Sequence, residues 1–381
     1  MSLLRAVELS TLSFSHRTGW SSPMPDLDSP QTLVLAFGAS SFVDHPEALT
    51  ALRAAFPQAH LAGCSSSGEI CGTRVLDESL SVAVLRFAHT RVRTAETAVG
   101  GEMSSREAGE SLGREVRGEG LRAVFVLSDG LAVNGTELLG GLHAALPPEV
   151  VVTGGLAGDG TAFRRSWVLH EGAPRSGIVV AVGLYGDAVR VGHGSRGGWD
   201  AFGPERRVTR TEGNVLYELD GAPALALYKR YLGERAAALP STALLFPVAL
   251  RGDANGDERV VRTILSVDEA AQSMTFAGDI PAGAVVQLMR ANIDRLIDGA
   301  AQASVAARSP SPEALTIAVS CVGRRLVLGE RVEEELEAAQ EAAPDGAMVG
   351  FYSYGEISPM GPGERARLHN QTMTVTRLWE A

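Results

Sequence analysis

The 381-residue chain is almost without lysine: Lys229 is the only one, and the remaining basic residues are scattered arginines. With 45 acidic against 34 basic residues the net charge is −11. That balance repels phosphate backbones and anionic lipid surfaces, so neither nucleic acid nor membrane is expected as a partner. Cysteine is scarce too. Cys64, Cys71 and Cys321 make neither a disulfide framework nor a Cys-x-x-Cys pair, which argues against a disulfide-stapled secreted domain and against a cysteine metal or redox motif. No apolar run approaches the roughly 20 residues that cross a bilayer. The first ten residues carry Arg5 and Glu8 and lack a signal peptide's apolar core and cleavage site, so the cytoplasm is the expected compartment. The eight histidines show no ligand spacing, and no Gly-x-Ser-x-Gly elbow occurs, so no metal, no cofactor and no serine-hydrolase chemistry is expected.

What is present is ordinary for a folded protein: 45% hydrophobic and 21% charged residues. Residues 1–31 end in a Ser-Ser-Pro-Met-Pro-Asp stretch and read as an N-terminal arm. From residue 32 the pattern is strand (32–37), helix (46–56, with Ala48, Leu49, Leu52 and Phe56 at helical spacing) and then three strands near 60–62, 79–87 and 91–99. A second round follows: helix 105–116, strand 123–127, helix 136–146, strand 150–153, and strand-like runs at 166–170, 178–184 and 188–191. Asp220-Gly221-Ala222-Pro223 is a turn that sets a boundary between a first domain, 32–220, and a second, 221–376. The second opens with helix 224–232 and continues with strands 260–266, 273–276 and 284–289, helix 293–307, strand 315–320, helix 332–342, and strands 347–350 and 371–378. The expectation is an α/β protein with mixed sheets and an internally duplicated two-domain architecture.

The duplication rests on a repeat. Gly63-Cys64-Ser65-Ser66-Ser67-Gly68-Glu69-Ile70 matches Gly350-Phe351-Tyr352-Ser353-Tyr354-Gly355-Glu356-Ile357 at five of eight positions. Pro57 and Pro344 each stand six residues before the first glycine, and Glu47, Leu49 and Ala51 of one preceding helix align with Glu334, Leu336 and Ala338 of the other. Glycines five apart at a strand's end let the backbone turn sharply and turn N–H groups toward an anion, while the following glutamate can hold a cation. One such turn offers partners for both ends of an amino-acid-like ligand. The alternative is that the glycines serve tight turns and the glutamates pair with arginines. Two such turns are expected close together, lining a cleft between the two domains.

Further candidates surround this motif. The Gly154-Gly155-Leu156-Ala157-Gly158-Asp159-Gly160 loop follows a strand as anion-binding loops do but matches neither nucleotide motif, leaving Gly155 and Asp159 as possible ligand groups. Asp129 stands where α/β sheets gather ligand groups, or caps a turn. Arg262 and Arg324 could grip a carboxylate bidentately, or pair with acidic neighbours. Asn370 faces either ligand or loop backbone. Cys64, with His60, His193 or His369 as base, offers a second function class, a cysteine-dependent hydrolase or amidase, although no cysteine-enzyme signature accompanies it. Asp253-Ala254-Asn255-Gly256-Asp257 imitates a calcium loop, but Ile264 stands where the bidentate glutamate belongs.

Taken in order, the motifs at 63–70, 154–159, 219–224, 350–357 and 368–374 resemble the FIST N and FIST C domains over about residues 32–376. The resemblance implies a non-enzymatic intracellular sensor in signal transduction that binds small ligands, amino acids or similar small carboxylates among them. Such domains often join kinase, chemoreceptor or cyclic-nucleotide output domains. No output segment is visible here, so the resemblance implies either signalling through a partner such as a histidine kinase or another output protein, or a free-standing binding protein. It carries no established catalytic residues.

Overall fold

The computed structural model describes residues 7–101, 103–239, 241–251 and 259–381. The calcium-loop imitation at 253–257 lies outside these described residues.

The chain builds the same module three times. Module 1 runs through β1 (Val7–Ser15), β2 (Gly19–Trp20), β3 (Thr32–Gly38), α1 (Glu47–Ala55), β4 (His60–Ser65), β5 (Glu69–Cys71), β6 (Arg74–Leu76) and β7 (Ser79–Phe87). Module 2 comprises β8 (Arg91–Ala98), α2 (Ser105–Val116), β9 (Leu121–Ser128), α3 (Gly135–Ala145), β10 (Val151–Leu156), β11 (Val168–His170), β12 (Ala173–Arg175) and β13 (Ile178–Tyr185). Module 3 begins with β14 (Val189–Arg196) and is interrupted by an inserted unit: β15 (Trp199–Glu212), β16 (Val215–Leu219), β17 (Ala222–Pro223), α4 (Ala224–Leu232), β18 (Val248–Arg251), β19 (Arg259–Arg262), β20 (Ile264–Asp268), β21 (Ser273–Phe276) and β22 (Val285–Ala291). It resumes with α5 (Ile293–Ala306), β23 (Leu315–Cys321), α6 (Val322–Leu328), α7 (Val332–Ala342), β24 (Ala347–Ser353), β25 (Gly355–Ser358), β26 (Arg367–His369) and β27 (Met373–Glu380).

Each module makes a parallel strand pair across a helix, flanked by an antiparallel returning strand and an antiparallel edge strand. After the second parallel strand the chain turns and leaves its own sheet. The β5–β6 hairpin of module 1 joins β24 of module 3, the β25–β26 hairpin of module 3 joins β10 of module 2, and the β11–β12 hairpin of module 2 joins β4 of module 1. The three sheets therefore exchange hairpins in a closed cycle. The two turns matched in sequence belong to modules 1 and 3, and the 154–160 loop is their counterpart in module 2.

Burial explains the strand sequences. Inner faces of all three sheets share one core, in which Leu35 and Phe37 meet Phe125, Leu127, Val319 and Phe351, with the Phe37 and Phe351 rings stacked at 4.8 Å. Outer faces pack on helices: α1 over module 1, α2 and α3 over module 2, α5 and α7 over module 3. A strand covered on both faces needs no polar alternation, hence the unbroken burial of β3, β13 and β23. The same steric demand recurs in each parallel pair. Gly63 lies opposite Ala36, Gly154 opposite Val126 and Gly350 opposite Ala318, and a Cβ at these glycines would stand 2.0, 1.9 and 1.8 Å from the partner's carbonyl oxygen.

The structure departs from the sequence reading in several places. The segment read as an arm contains β1, which pairs with β7 from Val7↔Phe87 to Ser15↔Ser79 and buries Val7 and Leu12. The run 260–266 divides at Thr263 into β19 and β20. Helix α6 and the long strand β15 escaped the reading altogether. Strand β15 threads the inserted unit, pairing with β22 through its first half and β16 through its second. This unit has its own core under α4. No helix among the described residues is long and apolar enough to cross a membrane.

Candidate functional site

The two repeated turns have one geometry. Ser66 Oγ donates to Glu69 Oε1 (2.6 Å), and the Ser79 N–H and Oγ donate to Oε2 (3.1 and 2.8 Å). Ser353 Oγ donates to Glu356 Oε1 (2.7 Å), and the Thr372 N–H and Oγ1 donate to Oε2 (3.1 and 2.8 Å). Each glutamate thus ties its turn to the start of the returning strand. Glu69 is 1% exposed and Glu356 is fully buried. Burial pushes both carboxyls up to about 8 against the opposing pull of these hydrogen bonds. In module 2 the strand position of the glutamates is held by Val168, and Asp129 ties the loops instead: it accepts from the N–H groups of Leu131, Ala132 and Gly177 and from Ser166 Oγ.

The three turns meet. Ser67 N–H donates to Tyr352 O (2.8 Å), Tyr352 N–H to Gly68 O (2.9 Å), Gly158 N–H to Ser65 O (3.0 Å) and Tyr354 N–H to Leu156 O (3.1 Å). The Tyr354 hydroxyl bonds Asp159, which also accepts from the N–H groups of Phe163, Arg164 and Arg165. Every N–H from Ser65 to Gly68 is consequently taken by the protein itself: Ser65 by Trp167 O, Ser66 by Gly38 O, Ser67 by Tyr352 O and Gly68 by Ser66 Oγ. The turns lie together, but their N–H groups and carboxylates are taken up by neighbouring protein groups rather than turned toward a cleft between the two domains, where the sequence reading places them. Gly155 is sealed against Val319 and Phe351.

Cys64 is fully buried in the central core, opposite Phe37 and Val168, and burial raises its thiol well above the ordinary value. Among the described residues no histidine bonds it; His369 Nε2 is engaged with Ser358 O (2.8 Å). Arg324, also fully buried, is satisfied by Glu335 (2.7 Å), Gly197 O and Leu296 O (2.8 Å each). Asn370 donates to Tyr354 O (3.3 Å) and keeps a buried Oδ1 without a partner.

Arg262 lies elsewhere, at an open cleft of about 1150 Å³ between the inserted unit and a wall formed by module 2 and the β25–β26 hairpin of module 3. One wall is α3 and the entry to β26, with Thr136, Leu139, His143, Arg367 and Leu368; the other is the inserted sheet, with Arg207, Arg251, Arg262 and Asp279. Arg262 Nη1 donates to Leu368 O (2.9 Å), bridging the walls. Its Nε is buried without a partner, as are His143 Nε2 and Thr136 Oγ1. Burial lowers the Arg262 guanidinium to about 10, which leaves it charged at neutral pH, and burial also lowers the His143 imidazole, helped by Arg365. Asp279 accepts from the side-chain amide of Asn134 (3.0 Å), the residue that caps α3. Of the residues singled out from sequence, only Arg262 is here. The other groups come from separate elements, and no local spacing announces them. Among the described residues no cluster of histidine, cysteine and acidic side chains could hold a metal ion.

Comparison with known proteins gives one clear result. No curated protein matches the chain. Family models do: the FIST N domain matches residues 32–222 and the FIST C domain residues 224–359. Covering nearly the whole chain in this order, they establish that the protein belongs to the FIST family of sensor domains in signal transduction.

Proposed function

We propose that the protein is a cytoplasmic small-molecule sensor whose ligand enters the cleft between the inserted unit and α3, placing a carboxylate on Arg262. The observation that carries this reading is the buried Arg262 Nε, a charged donor without a partner among the described residues beside an open cleft. Buried donors are costly to leave unmet, and a guanidinium is the group best shaped to take a carboxylate. The walls come from both sides of the domain boundary proposed at Asp220, the usual place for a ligand that changes how two units sit together. A route for the signal is built in: Leu368, which receives Arg262, lies four residues before Thr372, which Glu356 holds at the meeting point of the turns. A histidine kinase or another output protein would read the change there. The thiol-hydrolase reading has no geometric support, because burial holds the Cys64 thiol in its protonated form and no histidine among the described residues bonds it.

A thermal-shift screen with amino acids and small carboxylates tests the proposal. A true ligand raises the melting temperature by several degrees at saturation, and the shift disappears in Arg262→Gln but persists in Cys64→Ser. Ligand consumption that stops in Cys64→Ser would replace the sensor by an enzyme.

A further inference from the structure

Resting on this assignment of the cleft, we infer that its ligand is an aliphatic polyanion: a small molecule with at least two phosphate or carboxylate groups and no aromatic ring system. Charge is the first argument. The chain as a whole carries −11, yet among the described residues the charged side chains lining the cleft are Arg207, Arg251, Arg262 and Arg367 against Asp279. In a cleft with low-dielectric walls such a local excess concentrates anions against the sign of the rest of the molecule.

The arginines are also under-used. The Arg367 side chain makes no hydrogen bond or ion pair among the described residues. Among the described residues the Arg207 guanidinium hydrogen-bonds only Gly283 O, at 3.5 Å, besides a charge interaction with Asp220, and Arg251 meets Glu205 at 3.5 Å, a carboxylate it shares with Arg259. One carboxylate saturates one guanidinium fork, so a monoanion would leave the other three unanswered. A zwitterionic amino acid would bring its ammonium among four guanidinium groups, with only Asp279 to receive it.

Size and lining narrow the class further. About 1150 Å³ is larger than the roughly 300–1,000 Å³ of common ligand pockets, so the space exceeds what an amino acid fills. The described lining has no phenylalanine, tyrosine or tryptophan; its apolar part is Leu139, Leu250, Val260, Val285, Leu368, alanines and a proline. A base or other flat ring system would find no stacking surface. Arg262 and Thr136 supply buried hydrogen-bond donors for oxygen atoms instead.

Titration calorimetry and thermal shift on the full chain test this with citrate, pyrophosphate, acetate, leucine and ATP as probes. Citrate or pyrophosphate should bind, acetate and leucine should not, and ATP should gain nothing over pyrophosphate; which of the first two is stronger separates a polycarboxylate from a phosphorylated ligand. Raising NaCl from 50 mM to 500 mM should weaken binding. The surface variant Arg367→Gln, which leaves the core untouched, should weaken it at least about tenfold. The polyanion class is overturned if leucine binds as tightly as citrate and pyrophosphate, or if Arg367→Gln and Arg207→Gln leave their affinity unchanged. Leucine binding that vanishes in Arg262→Gln, with citrate and pyrophosphate inert, would keep the sensor assignment and discard the polyanion. Binding of no probe would discard both.

Discussion

At Glu356 a side chain does work that backbone usually does: one carboxyl holds Ser353 on one oxygen and both donors of Thr372 on the other. With the carboxyl raised to about 8 in the folded protein and near 4.5 when unfolded, the native state holds a proton that the unfolded chain releases. Its stabilisation is therefore complete below about pH 4.5, falls as pH rises toward 8, and is flat above it. Urea unfolding should show this term as a loss on the order of 3 kcal/mol between pH 5.5 and 8.5. Glu356→Gln, which copies the protonated acid, should reduce the slope to what Glu69 contributes while folding normally; an unchanged slope would mean that the Glu356 carboxyl is ionised throughout. Glu356→Ala should cost about 1–3 kcal/mol or more at every pH, because the Thr372 N–H is orphaned. Glu69 obeys the same logic through Ser66 and Ser79.

Helix α6, short and directly continuous with β23, is held by the Arg324–Glu335 pair, which ties it to α7, while Ser320 and Tyr352 fill the other Glu335 oxygen. Glu335→Ala strands a fully buried guanidinium and should cost about 3–5 kcal/mol in equilibrium unfolding, whereas a joint change of both partners to apolar residues should recover much of it. A loss under about 1 kcal/mol would show that Arg324 finds another partner. Elements like α6 mark where sequence reading stops. Helices α1, α4 and α7 were legible because their apolar residues recur at helical spacing. Helix α6 has barely two turns and a buried arginine on its inner face, so no stripe forms. Strand β1 hid behind Pro23 and Pro25, and β15 alternates too irregularly, through bulges, to show a period. The match between modules 1 and 3 was legible because their turns keep glycine, serine and glutamate in one spacing. Module 2 keeps only the sterically demanded Gly154. Its carboxylate has moved to Asp129, and its donated hairpin begins later, at Val168. The cleft was illegible for another reason: Arg207, Arg251, Arg262 and Arg367 meet only after the inserted unit docks.

For the molecule as a whole, the cyclic exchange of hairpins means that no module is complete without the next. Sheet 1 is finished by β11, sheet 2 by β25 and sheet 3 by β5. Removing residues 373–381, which takes away β27, should therefore lower the unfolding midpoint of the entire protein in one transition; surviving native signal from modules 1 and 2 alone would contradict this. The same closure sets the order of events during synthesis. Strand β5 emerges early and must wait for β24, nearly 280 residues later, before it has a partner. Contacts so distant along the chain slow folding, and an unpaired hairpin edge in the meantime invites association with other chains. A nascent chain of this protein should need a chaperone up to its last strand and, once released, should fold in a single late step.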